Sequence, residues 1–212
     1  MPRIPASILI GLLLSTLCAF AERPDGQAKL EPSRPVHAPF ERGAKELQFG
    51  GGLFVSENYF DIYRPQMNDV DATLRLGWML NSPTGPSIIR GNFELLLEVF
   101  GGGFVKGPAD VIAGTTVFVR YNWVQPSPKF VPYVHVGGGA AYSDAHQNEL
   151  QRELGSAVSF NLQVGFGARY LCTEKWGLFL EFDYRHLSNA ALAERNVGLN
   201  SYGSWLGASY FF

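Results

Sequence analysis

Residues 176–188, WGLFLEFDYRHLS, decide the fold because their apolar and polar side chains alternate one by one. Successive side chains of a β-strand point to opposite faces, so residues of one parity share a face. One parity holds Trp176, Leu178, Leu180, Phe182 and Tyr184, and the other holds Glu181, Asp183 and Arg185. The segment is therefore predicted to be a strand with one apolar and one charged face.

The same alternation recurs along most of the chain in segments separated by Pro, Gly, Asn and Asp. Each is roughly ten or more residues long, which suffices for a tilted strand to cross a bilayer. The predicted strands are approximately 46–56, 69–81, 90–101, 110–123, 130–142, 158–172, 176–188 and 201–212. No segment has a helical period, so the sequence indicates an all-β protein of eight strands.

The composition of the two faces distinguishes a membrane barrel from a soluble sandwich. A sandwich also alternates, but its polar face meets water. Here the polar face mixes acids and bases, which suits paired charges in a narrow lumen, and the other face is rich in aromatics and leucine. Trp78, Trp123 and Trp176 also fall near strand ends on one side, as an aromatic belt would. The sequence thus predicts an eight-stranded antiparallel transmembrane β-barrel of the bacterial outer membrane, with a soluble β-sandwich as the alternative.

The chain ends fit export. Residues 1–21 combine a cationic start at Arg3, an apolar stretch and an A-x-A cleavage site, as in a secretory signal peptide. Residues 22–45 are Pro-rich and aperiodic, which predicts a flexible periplasmic tail before the barrel at 46–212. The last strand ends in Phe212 with Leu206, Ala208 and Tyr210 at the same parity, which resembles the C-terminal signature of bacterial outer-membrane barrels. The resemblance implies the outer-membrane barrel assembly machinery as a partner. A net charge of −2 gives no sign of nucleic-acid binding.

Loop lengths orient the predicted barrel. Residues 57–68, 143–157 and 189–200 form long polar connections, whereas QPSPK and CTEK form compact turns. Long loops face the exterior in such barrels and short turns the periplasm. The C-terminal end of the seventh strand then emerges at the outer leaflet.

His186 and Ser188 lie at that outer end with lipid-facing parity. Residues i and i+2 of a strand lie side by side, so the imidazole can take a proton from the serine as a general base. The alternative is a strand that simply enters the polar headgroup zone. No spacing of His, Cys, Asp and Glu resembles a metal site, and no glycine stretch opens a nucleotide loop, so no metal or cofactor is predicted.

The stretch RHLSNA, followed by residues 196–201, NVGLNS, and a terminal aromatic strand, resembles the C-terminal signature of the lipid A 3-O-deacylases, the PagL-like outer-membrane enzymes. The resemblance implies an eight-stranded barrel and a serine esterase that removes the acyl chain ester-linked at the 3-position of lipid A. It implies Ser188 as nucleophile, His186 as general base and Asn189 as an oxyanion-hole donor. Lipid A or lipopolysaccharide of the outer leaflet is then the membrane partner.

Two positions depart from the family pattern. The family has Gly where this chain has Ala191, whose backbone N–H is a further oxyanion-hole candidate. The acid that orients the histidine is a Glu at the position of Asn200. Asparagine can accept a hydrogen bond from the imidazole but brings no charge, and Glu194 of the nearby loop is an alternative orienting group.

Three functions follow from these residues. The first is hydrolysis of a lipid A ester. The second is a non-catalytic small barrel, of adhesion or opacity type, which the replacement at Asn200 favours. The third is an outer-membrane acyltransferase, which needs an acyl acceptor that outcompetes water.

Overall fold

The computed structural model describes residues 39–57, 64–126 and 128–212. In it, antiparallel strands pair in sequence order and β1 pairs with β8, which closes an eight-stranded barrel. The strands are β1 (Lys45–Ser56), β2 (Asn68–Met79), β3 (Gly91–Lys106), β4 (Val111–Trp123), β5 (Phe130–Ser143), β6 (Val158–Leu171), β7 (Trp176–Ser188) and β8 (Leu199–Phe211). The predicted all-β fold and strand number are confirmed. No helix among the described residues has the length and hydropathy needed to cross a membrane.

The two faces of the strands differ as the alternation predicts. Outward side chains of β7 such as Leu180 and Phe182 are exposed on the barrel wall. Glu181 and Arg185 of the same strand point inward and are buried in the lumen. An exposed apolar wall suits lipid as the surrounding medium.

The lumen is filled by ion pairs between strands that are distant in sequence. Arg169 lies 2.6 Å from Glu46 and 2.9 Å from Glu94, and Arg75 lies 2.8 Å from Glu181. Buried charges are tolerated only when they are paired and hydrogen-bonded. The predicted lumen of mutually paired charges is therefore confirmed.

The end of the barrel that is predicted to face the periplasm, called the inner end below, is closed by residues that precede β1. Phe40 is buried, its ring centroid lies 5.4 Å from that of Phe211, and its carbonyl accepts a 2.8 Å hydrogen bond from Asn92 Nδ2. Residues 39–44, assigned from the sequence to the flexible tail, thus pack against the barrel. The predicted signal peptide and residues 22–38 lie outside the described residues.

Two connections differ from the predicted pattern of short inner turns and long outer loops. Residues 107–110 make a short outer connection because β3 continues to Lys106, beyond its predicted end at Gly101. A Cβ at Gly102 would collide with the backbone oxygen of Val70, so glycine lets β2 and β3 approach there. Residues 80–90 form a longer inner connection, folded by a 3₁₀ turn at Ser87–Ile89.

Candidate active site

Three adjacent strands bring polar side chains together at the outer end of the barrel. β7 pairs with β8 so that His186 stands opposite Asn200. β8 and β1 end their pairing at Ser201 and Ser56, and Glu57 follows one step beyond, beside Asn200. His186, Asn200 and Glu57 have the outward parity of their strands, and we call them the polar row.

Two short hydrogen bonds join the polar row. His186 Nδ1 lies 2.5 Å from Asn200 Oδ1, and Asn200 Nδ2 donates to Glu57 Oε1 at 2.5 Å. An ionised carboxylate only accepts, so the amide N–H of Asn200 must face Glu57 and its carbonyl must face the ring. His186 then carries its proton on Nδ1 and leaves the Nε2 lone pair free, which is the tautomer that a general base needs.

Ser188 lies on the same outward face, two residues beyond His186, and is half-buried. Within residues 39–57, 64–126 and 128–212 its hydroxyl forms no hydrogen bond, to His186 or to any other residue. Catalytic hydrogen bonds often tighten only once substrate is bound. His186 and Ser188 therefore lie on the same face of β7, but they are not hydrogen-bonded to each other in this structure.

An apolar surface surrounds the candidate nucleophile. On β6, Phe160 stands opposite Ser188 and Leu162 stands opposite His186, and both side chains are exposed. Below the polar row, the rings of Tyr184 and Tyr202 lie 5.3 Å apart. An acyl chain lying along this wall would meet carbon atoms and aromatic faces.

Asn189 does not share the outward face of Ser188. Its side chain is buried and Nδ2 donates to Arg195 O at 3.0 Å, while its backbone N–H donates to Asn196 Oδ1 at 2.8 Å. Its donors are thus committed to the loop between β7 and β8. The oxyanion role of its side chain stays a prediction that this conformation does not favour.

The next two residues present backbone amides instead. Ala190 and Ala191 both have positive φ, at 51° and 63°, a region that residues with a Cβ rarely adopt. Backbone amides of a turn can bind an anion when they have no partner within the protein. Neither amide donates a backbone hydrogen bond within the described residues. The glycine that the family carries at the position of Ala191 fits this geometry without strain.

Gly198 passes close beside the histidine ring. It has φ +84°, and a Cβ there would lie 3.0 Å from His186 Cε1. Its N–H donates to Glu153 O at 3.0 Å and its carbonyl accepts from Arg64 at 3.1 Å. The loops therefore hold the backbone against the ring.

The structure does not bring Glu194 to His186. Glu194 is exposed on the loop between β7 and β8, and in the part of the chain that the structure describes it forms no hydrogen bond or ion pair. The carboxylate next to the site is Glu57. Sequence reasoning missed it because its partner is 143 positions away, across the barrel closure.

One buried cluster in the lumen has the donor atoms of a metal site. The ligand atoms of His135, Glu181 and Asp183 lie within 4.8 Å of one another. Both oxygens of Glu181 already accept from arginines, Arg75 at 2.8 Å and Arg120 at 3.1 Å. Because protein cations balance this cluster, it fits the lumen network better than a cation site.

The lipid A 3-O-deacylase (PagL) family matches residues 72–209, which include Ser188, His186 and Asn200. The chain belongs to this family. No curated protein matches the chain.

Solved structures similar to this member of the lipid A 3-O-deacylase family are small barrels. The outer membrane enzyme PagL shares 16% identity at a TM-score of 0.54 and covers 77% of this chain and 97% of its own. Neisserial surface protein A shares 14% identity at 0.51, covering 80% and 98%. The N-terminal barrel domain of Pseudomonas aeruginosa OprF shares 15% at 0.50, covering 81% and 98%. Such identities show the common fold, and with the family they place the protein in the bacterial outer membrane.

Proposed function

We propose that this protein hydrolyses the acyl chain ester-linked at the 3-position of lipid A, with Ser188 as nucleophile and His186 as general base. The observation that carries the proposal is the contact between His186 Nδ1 and Asn200 Oδ1 on the lipid-facing wall. This contact supports the proposal because it orients a histidine with a free Nε2 two residues from a serine, on the outward face of β7.

The reaction begins at the ester carbonyl. Ser188 Oγ attacks the carbonyl carbon while its proton passes to His186 Nε2. The carbon–oxygen bond to the sugar then breaks, and the imidazolium returns the proton to the departing 3-oxygen. Water attacks the resulting acyl-serine with His186 again as base, which releases the free acid and restores Ser188.

The charge that develops on the ester oxygen needs hydrogen-bond donors. Following the chain from Ser188, the first backbone N–H groups without a hydrogen bond among the described residues are those of Ala190 and Ala191. Donors fixed in advance stabilise the oxyanion more than water does, and one such donor contributes about 10²- to 10³-fold to kcat. We assign this role to the two amides in preference to the Asn189 side chain.

Substrate reaches the site in the plane of the membrane. In this proposal the acyl chain lies along the wall formed by Phe160, Leu162, Tyr184 and Tyr202, and the lipid headgroup lies beside the polar row at the end of that wall. A site that opens to lipid needs no entrance through the charged lumen.

The test is to incubate purified barrel in detergent with lipopolysaccharide and follow the mass of lipid A. We expect the wild type to release one acyl chain as free acid, and Ser188→Ala to lower the rate by about 10³-fold or more. Equal release by Ser188→Ala, or no release by the wild type, would refute the proposal.

Two alternatives have different outcomes in the same assay. An acyltransferase would deliver the acyl chain to a second lipid rather than to water, so the products distinguish it. A non-catalytic barrel is the alternative supported by the finding that, among the described residues, His186 contacts the amide of Asn200 and no carboxylate. Such a barrel would not react with a serine-directed fluorophosphonate at Ser188.

A further inference from the structure

We propose that Glu57 is a positioning residue that acts through Asn200 to set the protonation pattern of His186. This inference rests on the proposed esterase function and adds a fourth member to its site. It starts from the contact between Asn200 Nδ2 and Glu57 Oε1, at 2.5 Å.

The barrel itself creates this contact. Glu57 is the residue after Ser56, the last residue of β1, whose partner on β8 is Ser201. Continuing that register by one step sets Glu57 beside Asn200, which in turn pairs with His186. Three neighbouring strands thus place an acid, an amide and an imidazole in one line along the outer rim.

An asparagine alone cannot choose the tautomer of a histidine. Its side chain can turn either the carbonyl or the amide N–H toward Nδ1, because the two ends have nearly the same shape. With the carbonyl inward, Nδ1 is protonated and Nε2 can accept the serine proton. With the amide inward, the ring proton moves to Nε2 and the histidine cannot act as base.

Glu57 removes this ambiguity. Its carboxylate accepts a hydrogen bond from the amide N–H of Asn200 and would repel the carbonyl oxygen if the amide turned round. The carbonyl is therefore directed to His186. Hydrogen bonds in a chain also polarise one another, so the negative charge on Glu57 strengthens the bond that Asn200 accepts when imidazolium forms.

This arrangement accounts for the asparagine at a position where the family carries a glutamate. The site still contains a carboxylate, but it reaches the histidine through Asn200 and comes from Glu57, directly after β1, instead of from β8. Through the Asn200 amide, the Glu57 carboxylate orients the His186 ring and exerts part of the effect of its charge on it.

The test combines Glu57→Ala with Asn200→Glu and measures kcat and KM for release of the acyl chain from lipopolysaccharide. In the native background we expect Glu57→Ala to lower kcat about 10- to 10³-fold with KM unchanged, less than the about 10⁴-fold loss when a triad acid is replaced and the tautomer is wrong. In the Asn200→Glu background a carboxylate contacts the ring directly. In that background we expect Glu57→Ala to raise kcat, because it removes a negative charge beside the carboxylate introduced at position 200.

Controls separate positioning from folding. Glu57→Gln keeps an acceptor for the amide, so we expect a smaller loss than with alanine. Glu174→Ala makes the same change in the inner turn between β6 and β7, and leaves kcat unchanged. The heat-dependent gel mobility of each variant reports whether its barrel has closed.

Two results would overturn the role of Glu57: an unchanged kcat for Glu57→Ala, or an equal loss in both the native and the Asn200→Glu backgrounds. Either leaves the esterase proposal standing as long as Ser188→Ala abolishes acyl release. Loss of that serine dependence would instead refute the esterase itself.

Discussion

Substituting Gly198 by alanine tests how tightly the loop backbone holds the histidine. The new Cβ would lie 3.0 Å from His186 Cε1, closer than ordinary van der Waals contact. The backbone cannot easily withdraw, because Glu153 and Arg64 hold the N–H and the carbonyl of Gly198. We therefore expect the imidazole to move instead.

We expect Gly198→Ala to have two separate effects, one on stability and one on activity. Gly198 has φ +84°, and an alanine in the left-handed region costs roughly 1–2 kcal/mol of stability. Displacement of the ring adds a loss of activity, since a catalytic group misplaced by about 1 Å can cost about 10²-fold in rate. That factor corresponds to about 2.7 kcal/mol in the activation barrier.

Gly43 provides a matched control at the other end of the barrel. It has nearly the same dihedral angle, φ +86°, but a Cβ there would have nothing within 4 Å. Urea unfolding in detergent should show a similar loss of stability for Gly43→Ala and Gly198→Ala, whereas acyl release from lipopolysaccharide should fall only for Gly198→Ala. Full kcat in Gly198→Ala, or an equal fall in both variants, would show that the ring is not held by this contact.

Three further changes test other parts of the structure. Asn200→Leu keeps the size of the side chain but removes the acceptor for the ring, so we expect kcat to fall about 10⁴-fold in a closed barrel; a fall below tenfold contradicts the assigned contact. Arg169→Met removes the cation paired with buried Glu46 and one of the two arginines near Glu94, and should cost about 3–5 kcal/mol in urea unfolding; unchanged stability would argue against the lumen pairs. Arg195 donates to three carbonyls of the 144–157 loop, so Arg195→Ala should speed proteolysis of that loop without opening the barrel; an unchanged cleavage rate would show that the loop is held by other contacts.

Strand positions could be predicted because each strand has one face in lipid and one in a charged lumen. β7 begins and ends where its alternation does, at Trp176 and Ser188. β3 runs to Lys106 through a glycine stretch that carries no apolar pattern, so its end could not be read. Alternating side chains reveal a strand because they match lipid on one face and the lumen on the other. A run of glycines has no side chains and therefore shows no such pattern.

The site was predictable only as far as strand parity extends. His186 and Asn200 share the outward face of neighbouring strands, and the structure pairs them. Asn189 follows the end of β7, where parity no longer fixes the direction of a side chain, and it turns inward. Glu57 depends on the register between the first and last strands, which no local pattern contains.

The seam between β1 and β8 gives the polar row a consequence for biogenesis. Glu57 arrives with the first strand and Asn200 with the last, so the two meet only when the barrel has closed. A chain in transit, or one held half-inserted, already carries the serine and the histidine but lacks the carboxylate that orients them. If this protein is the proposed esterase, its full hydrolytic rate requires a closed barrel, and we expect a chain whose first and last strands are unpaired to cleave lipid esters more slowly.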